Sequence, residues 1–255
     1  MRLVDTHCHL QDRRFDEDRE AVLARALDAL AWIVVIGDDL ATSAQALSCA
    51  RERVYATVGM HPYHAEAVDD AAIAELRRLA QAPGVVAIGE MGLDYHNEFS
   101  PREAQRVAFP RQLALAQELG LPVVVHNRQA DDDAYAVLQE AVPALPACVL
   151  HCYGSDAAFA ERCVELGCYI SFAGNATFPK AQPLRDAAAV VPLDRLLVET
   201  DAPYLAPQAK RGKRCEPRDV QYTAEALAEV KGVSLEAFAE QTTRNAARVF
   251  LQGSA

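Results

Sequence analysis

The chain has 255 residues, of which 36 are Asp or Glu and 25 are Lys or Arg, giving a formal net charge of −11. Its composition, 51% hydrophobic and 24% charged, is that of an ordinary soluble globular protein. No apolar stretch approaches the roughly 20 residues that a membrane span requires. The acidic balance argues against general affinity for polyanions, because neutralising phosphates takes Lys and Arg. A nucleic-acid substrate would therefore be held locally, at an end or in a short single strand.

Short runs rich in Val, Ile and Leu alternate with segments rich in Ala, Leu, Glu and Arg. The runs cover 3–9, 32–37, 54–60, 85–90, 122–126, 148–151, 168–174 and 196–201. Helices are predicted over 16–30, 69–81, 156–166 and 224–233, with a last helix over 243–250. Because the runs lack strict alternation, they are typical of strands buried on both faces of a parallel sheet. The pattern predicts an α/β fold, a TIM (β/α)8 barrel, as a single domain over residues 1–255.

The alternative fold is a doubly wound open sheet, which gathers a ligand site at one switch point from few strands. Here candidate metal ligands end five different runs, and only a closed ring brings all five ends together. Pro110 falls in a helical segment and is expected to kink that helix or to restart it at Phe109. The final Gly-Ser-Ala is expected to be frayed.

Six side chains that can bind a metal stand at the C-terminal ends of these five runs. They are His7, His9, Glu90, His126, His151 and Asp201. Each alone has a structural explanation, either a hydrogen-bonded histidine or a carboxylate that caps the next helix. Catalytic residues of barrels, however, lie at the C-terminal ends of the strands, where all six would meet. Their shared position predicts a metal site.

The ligand types predict two divalent cations, with Mg²⁺, Mn²⁺ and Zn²⁺ as candidates. The two histidines of the first run are two residues apart on a strand, so they point to the same side and would form one set with Asp201. His126 and His151 would form the other set. Glu90 would bridge the ions with its two oxygens, and a water shared by the ions would attack while Asp201 accepts its proton. Glu90 and Asp201 are therefore the predicted catalytic residues.

Basic side chains near this site are candidates for binding substrate phosphates. His61 follows the third run, and Arg128 stands two residues after a predicted ligand. The loop after the last run carries four basic residues around a glycine: Lys210, Arg211, Lys213 and Arg214. Such a run is usually solvated surface, but at the rim of a metal pocket in an acidic chain it is predicted to receive a phosphate chain.

The seven cysteines show no CxxC spacing, and most lie in apolar runs, which predicts buried free thiols. Cys215 is the exception considered, because basic neighbours can make a thiol reactive. The N-terminus passes directly into the first run, so no signal peptide is expected. A cytoplasmic location is predicted, and reduced thiols fit that compartment.

The sequence resembles the TatD-type deoxyribonuclease family of the metal-dependent amidohydrolase superfamily. The resemblance rests on VDTHCHL, GMHPYHA, IGEMGLDY, PVVVHNRQA, VLHCYGS, ETDAPYLAP and RGKRCEP, in the family's order, and covers about residues 3–250. It implies a TIM barrel, two divalent ions and hydrolysis of DNA phosphodiesters, often as an exonuclease on single strands. It also implies metal-ligand roles for the same six residues. Cys215 stands where family members often have Asn.

We therefore expect a cytoplasmic metal-dependent hydrolase that cleaves DNA phosphodiester bonds at single-stranded ends. Its partner would be short or single-stranded DNA, with no membrane and with a monomer favoured. Two alternatives stay open: a small-molecule amidohydrolase, lactonase or deaminase on the same barrel, and a catalytically silent barrel that serves as a binding module. The sequence leaves open the physiological metal, the preference for DNA or RNA, the strand polarity and the pathway.

Overall fold

In the computed structural model, which describes residues 2–252, eight parallel strands alternate with helices. The strands are β1 (Asp5–Cys8), β2 (Ile33–Ile36), β3 (Val54–Val58), β4 (Val85–Asp94), β5 (Val123–Arg128), β6 (Cys148–Leu150), β7 (Tyr169–Phe172) and β8 (Leu196–Val198). Hydrogen-bonded neighbours follow chain order from β1 to β8. This order confirms the single-domain TIM barrel and excludes a doubly wound sheet, whose strand order reverses at a switch point.

The ring closes where the chain leaves β8 and runs beside β1. The hydroxyl of Thr6 donates to the carbonyl oxygen of Val198 at 2.9 Å, and the backbone N–H of Asp201 donates to the carbonyl of His7 at 2.8 Å. Cys8 and Ala202 form a parallel bridge just beyond. The segment after β8 is therefore fixed against the segment that carries the first two predicted ligands.

Nine helices pack against the ring in the described residues. They are α1 (Arg19–Ala29), α2 (Leu40–Cys49), α3 (Asp70–Ala80), α4 (Arg102–Leu119), α5 (Asp131–Ala141), α6 (Ala157–Glu165), α7 (Gln182–Val190), α8 (Val220–Lys231) and α9 (Leu235–Phe250). Helix α4 runs through Pro110, so the predicted restart at Phe109 is wrong. Pro110 is exposed, as is Arg106 one turn earlier, so water can bond the carbonyl that loses its N–H partner. The final Gly-Ser-Ala lies outside the described residues.

The apolar side chains divide into two clusters. Val123 and Val125 pack with helix residues, whereas Val124 between them belongs to a smaller cluster that includes Phe250 of α9. Because successive strand residues point to opposite faces, the larger cluster is the layer between ring and helices and the smaller one fills the ring. Phe250 meets Trp32, the residue before β2, so α9 covers the N-terminal end of the barrel. Polar side chains are thus left for the C-terminal end.

The seven cysteines are free thiols, and all are buried except Cys152, which is half-buried. The predicted buried thiols are therefore confirmed. Cys215 is fully buried, and burial raises the pKa of its thiol, so its basic neighbours do not make it reactive. Within residues 2–252 we find no helix with the length and apolarity needed to cross a bilayer.

Candidate metal centre

The six predicted ligands converge at the C-terminal end of the barrel around Glu90. One carboxylate oxygen of Glu90, Oε2, lies 3.3 Å from Nε2 of His7 and 3.9 Å from Nε2 of His9. Oδ1 of Asp201 lies 3.7 and 3.3 Å from the same two nitrogens, which are 3.3 Å apart. These four side chains bring carboxylate oxygens and imidazole nitrogens to one point.

The other oxygen of Glu90 faces a second group of imidazoles. Oε1 lies 2.7 Å from Nε2 of His151, 3.1 Å from Nδ1 of His126 and 3.3 Å from Nε2 of His61. The side chain of Glu90 is only 4% exposed. A single buried carboxylate therefore divides its two oxygens between two sets of histidines, the position that a bridging ligand requires.

Strand β4 does not end at Glu90, as the apolar run predicted, but continues to Asp94. The pairing of β4 with β5 shifts register between Ile88 and Met91, which marks a bulge at Glu90. Such bulges re-aim side chains next to active sites. Gly92 makes the close pairing possible, because a Cβ there would lie 1.9 Å from the carbonyl oxygen of His126 and its φ is +140°. Only glycine permits that approach.

Asp201 is positioned by the turn after β8, which ends at Val198 rather than at Asp201 as predicted. Its backbone is left-handed, with φ +56°, a conformation that Asp adopts more readily than most residues. Its N–H bonds the carbonyl of His7, and this contact turns the side chain toward His9. The side chain keeps 16% exposure.

The outer nitrogens of three histidines face groups that only accept hydrogen bonds. Nδ1 of His151 lies 3.2 Å from Glu199, and Nε2 of His126 lies 3.1 Å from Asp94. Nδ1 of His9 lies 3.1 Å from the carbonyl oxygen of Ile36. Each neutral ring therefore carries its proton on the outer nitrogen and turns a lone pair toward the centre. Inward lone pairs facing carboxylates need cations between them, so the donor set fits divalent metal ions.

His61 is oriented in the opposite sense. The backbone N–H of Tyr63 donates to its Nδ1 at 3.1 Å, so the neutral ring carries its proton on Nε2, the nitrogen that faces Glu90. Burial lowers the pKa of His61, which favours the neutral ring. His61, Glu90 and His126 do come within reach of one point. Because His61 offers an N–H there, it is placed as a hydrogen-bond donor and not as a metal ligand.

Both central carboxylates are ionised. Burial alone would raise the pKa of Glu90, but the facing imidazoles, led by His151 and His61, hold it well below its usual range. Burial likewise opposes ionisation of Asp201, and the hydrogen bond from His9, whose ring is protonated when no cation is bound, outweighs it and lowers the pKa of Asp201. The centre therefore presents two negative charges to a cation.

A cavity of about 600 Å³ opens onto this centre. Arg128 lines it, together with His61, Tyr63, Asn175 and Tyr204. The four basic residues at 210–214 do not line it in the part of the chain that the structure describes. Arg214 donates to both carboxylate oxygens of Asp18, at 2.8 and 2.7 Å. A phosphate-binding role stays a prediction for all of these residues.

Two carboxylates that orient histidines, Glu199 and Asp94, were not among the site residues predicted from the sequence. Both are completely buried. Glu199 stands two residues before Asp201, and this spacing on a strand end was an available signal. Asp94 carried no such signal, because β4 was expected to end four residues earlier.

A closed barrel with histidines and carboxylates gathered at its C-terminal end defines a metal-dependent hydrolase. The model of the family described as TatD related DNase matches residues 4–251, and the chain belongs to this family. The resemblance stated from the sequence is thereby confirmed.

Named relatives agree with this class. The uncharacterized metal-dependent hydrolase YabD of Bacillus subtilis is 41% identical over 251 residues, covering 97% of this chain and 98% of the relative. A protein of Erwinia tasmaniensis named 3'-5' ssDNA/RNA exonuclease TatD is 38% identical over 257 residues, covering 97% and 99%. The crystal structure of YJJV, a TatD homologue of Escherichia coli K12, superposes with a TM-score of 0.91 at 31% identity, covering 98% of both chains.

Proposed function

We propose that this hydrolase is an exonuclease that removes nucleotides from single-stranded DNA ends with two divalent cations. The proposal rests on one observation: the two carboxylate oxygens of Glu90 face two different groups of imidazoles. Two cations held side by side suit phosphodiester hydrolysis, in which both the attacking and the leaving oxygen gain charge. The name of the Erwinia relative, a 3'-5' exonuclease on ssDNA and RNA, supports the same substrate class.

The six converging side chains would hold the cations. His7, His9 and Asp201 would form the first set, His126 and His151, which both face Oε1 of Glu90, would form the second, and Glu90 would belong to both. When bound, the cations supply Lewis-acid polarisation of the phosphoryl group and lower the pKa of water. Mg²⁺, Mn²⁺ and Zn²⁺ all suit a mixed imidazole and carboxylate set.

The chain's own residues would complete the chemistry. Asp201 lines the cavity and accepts the proton of the attacking water. His61 presents its Nε2–H toward the same space and donates to a phosphate oxygen, which stabilises the charge that develops there. Arg128 binds the adjoining phosphate.

Two further proposals concern the state of the protein in the cell. We propose a cytoplasmic location, which the seven free thiols support because reducing compartments keep thiols unpaired. We also propose a monomer, whose mass would be tested by light scattering. A stable dimer at micromolar concentration would overturn the second proposal.

The test is turnover of end-labelled single-stranded DNA and RNA with each cation, alongside a chelator control. We expect stepwise release of mononucleotides, loss of activity with chelator, and about two ions per chain by elemental analysis. Glu90→Gln should abolish release, whereas Glu118→Gln, which alters an exposed ion pair with Arg77, should leave it unchanged. Hydrolysis of a lactone or amide without nucleotide release would assign the small-molecule alternative. Binding of DNA without turnover of any of these substrates would leave only a binding module.

A further inference from the structure

Two aromatic side chains are exposed at the end of the barrel that carries the metal centre. Phe99 is 69% exposed and Tyr204 is 47% exposed. Among the described residues the other large exposed hydrophobics are Val107 and Val190, both on helices. Phe99 lies in the loop between β4 and α4, and Tyr204 lies in the loop that follows β8. Both loops leave the C-terminal ends of strands.

The two aromatic rings stand on opposite sides of the cavity. In a ring ordered from β1 to β8, the strands β4 and β8 are four positions apart, which is half of the circumference. Tyr204 lines the cavity directly. Phe99 packs edge-on against Tyr63, which also lines the cavity, with ring centroids 4.6 Å apart at 88°. One aromatic surface therefore flanks the metal centre on each side.

Neighbouring side chains hold both rings in position. The guanidinium of Arg14 lies 4.0 Å over the ring of Tyr204 and is fixed by hydrogen bonds to Asp12. The hydroxyl of Ser100 donates to the backbone carbonyl of Tyr63 at 2.8 Å, which ties the Phe99 loop to the ring beneath it. Because both rings are already held in place, they lose little conformational entropy when a flat ligand binds over them.

The acidic chain offers few basic groups for binding a nucleic-acid strand, so contacts of another kind would have to supply affinity. Arg128 is the one Lys or Arg that lines the cavity within residues 2–252, in a chain of net charge −11. Binding through phosphates alone would need more basic residues along the strand. Stacking of bases on aromatic rings supplies affinity without positive charge and tolerates any base, because every base has a π-face.

We propose that Phe99 and Tyr204 stack on the nucleobases on either side of the phosphate at the metal centre. This inference rests on the proposed nuclease function and deepens it. A base can cover either ring only when it is unpaired and unstacked, so the two rings select single strands over duplex ends. Contact on both sides also fixes the register of the scissile phosphate.

The experiment compares a single-stranded oligothymidylate with the same strand made abasic at its last two positions. For the wild type we expect a KM about 100-fold higher on the abasic strand, about tenfold for each of the two stacked bases that it lacks. Phe99→Leu and Tyr204→Leu keep apolar bulk but lose the flat ring. Each should raise KM for the normal strand about tenfold and reduce the preference over the abasic strand to about tenfold, because the other ring still stacks, while Phe99→Trp should retain the full preference.

Val190→Ala is the matched control. It removes an exposed apolar side chain at the last residue of α7, which does not line the cavity, and should leave both KM values unchanged. If the wild type cleaves both strands with equal KM, or the leucine variants match it, the stacking inference fails and the nuclease function stands. If the wild type releases no nucleotide from either strand, the nuclease function itself fails.

Discussion

The carboxylate of Glu199 lies 3.2 Å from Nδ1 of His151, on the side of the ring that faces away from Glu90. The same oxygen accepts the backbone N–H of Cys152 at 2.8 Å. Glu199 is completely buried and therefore fixes both the tautomer and the orientation of the histidine. Asp94 does the same for His126.

Replacing this outer carboxylate should weaken metal binding without unfolding the protein. In Glu199→Gln the carboxamide oxygen can still accept both hydrogen bonds. The variant loses the negative charge that would make His151 a stronger metal ligand. We expect affinity for the cations to fall about 10- to 100-fold, as is usual for such partners of metal ligands. Isothermal calorimetry would measure it, with Asp94→Asn expected to act alike. Glu75→Gln, which alters an exposed ion pair with Arg78, is the control and should not change the affinity for the cations. An unchanged affinity for the cations in the Glu199 variant would contradict the prediction.

His61 should affect turnover and not metal content. Its protonated Nε2 faces the centre, so His61→Ala removes a hydrogen-bond donor and no ligand. We expect kcat to fall about 100-fold, the size of effect of one oxyanion donor, with about two ions per chain retained. Elemental analysis beside single-turnover kinetics checks this. A variant that loses an ion would show that His61 is a ligand after all.

Metal binding should strengthen as pH rises toward about 9. Burial lowers the pKa of His9, but the hydrogen bond and charge of Asp201 outweigh it and raise the pKa to about 9 in the metal-free protein. Below that pH a cation must displace the proton from His9, so binding at pH 7 releases protons and acid weakens it. Calorimetry at pH 7 in buffers of different ionisation enthalpy would count the protons. Affinity that does not change between pH 6 and 9 would refute this competition.

Gly92→Ala should destabilise the protein and disturb the centre together. A Cβ at Gly92 would lie 1.9 Å from the carbonyl oxygen of His126, so β4 and β5 must separate. We expect a loss of more than about 2 kcal/mol in unfolding free energy, measured by urea denaturation. Gly120→Ala is the matched control, since Gly120 has φ +64° but no atom within 4 Å of the added carbon. It should cost about 1 kcal/mol, from the backbone conformation alone; an equal loss in both variants would disprove the clash.

Arg128 and Arg214 should separate into different roles. Arg128→Ala should raise KM for single-stranded DNA about tenfold, because Arg128 lines the cavity. Arg214→Ala should leave KM near that of the wild type and lower the unfolding free energy only slightly, since it removes a solvent-exposed pair with Asp18. A large rise in KM in the Arg214 variant would instead support the phosphate-binding role predicted for this loop.

The sequence by itself determined the barrel and the residue types of the centre. Buried parallel strands are continuous apolar runs, a local pattern that is read without knowing the partners of each strand. Six potential ligands that end such runs must meet, because a closed ring gathers the C-terminal ends of all its strands. The ends of β4 and β8 were misplaced by a few residues, because the bulge at Glu90 and the turn at Asp201 depend on neighbouring strands.

Only the tertiary structure decided what each of these groups can do. His61 and His151 are both histidines in the sequence, yet one presents an N–H to the centre and the other a lone pair. That difference comes from a backbone N–H in one case and from Glu199, 48 residues away, in the other. The protonation and orientation of a side chain are set by the atoms it contacts in space, and one-dimensional spacing does not contain those contacts.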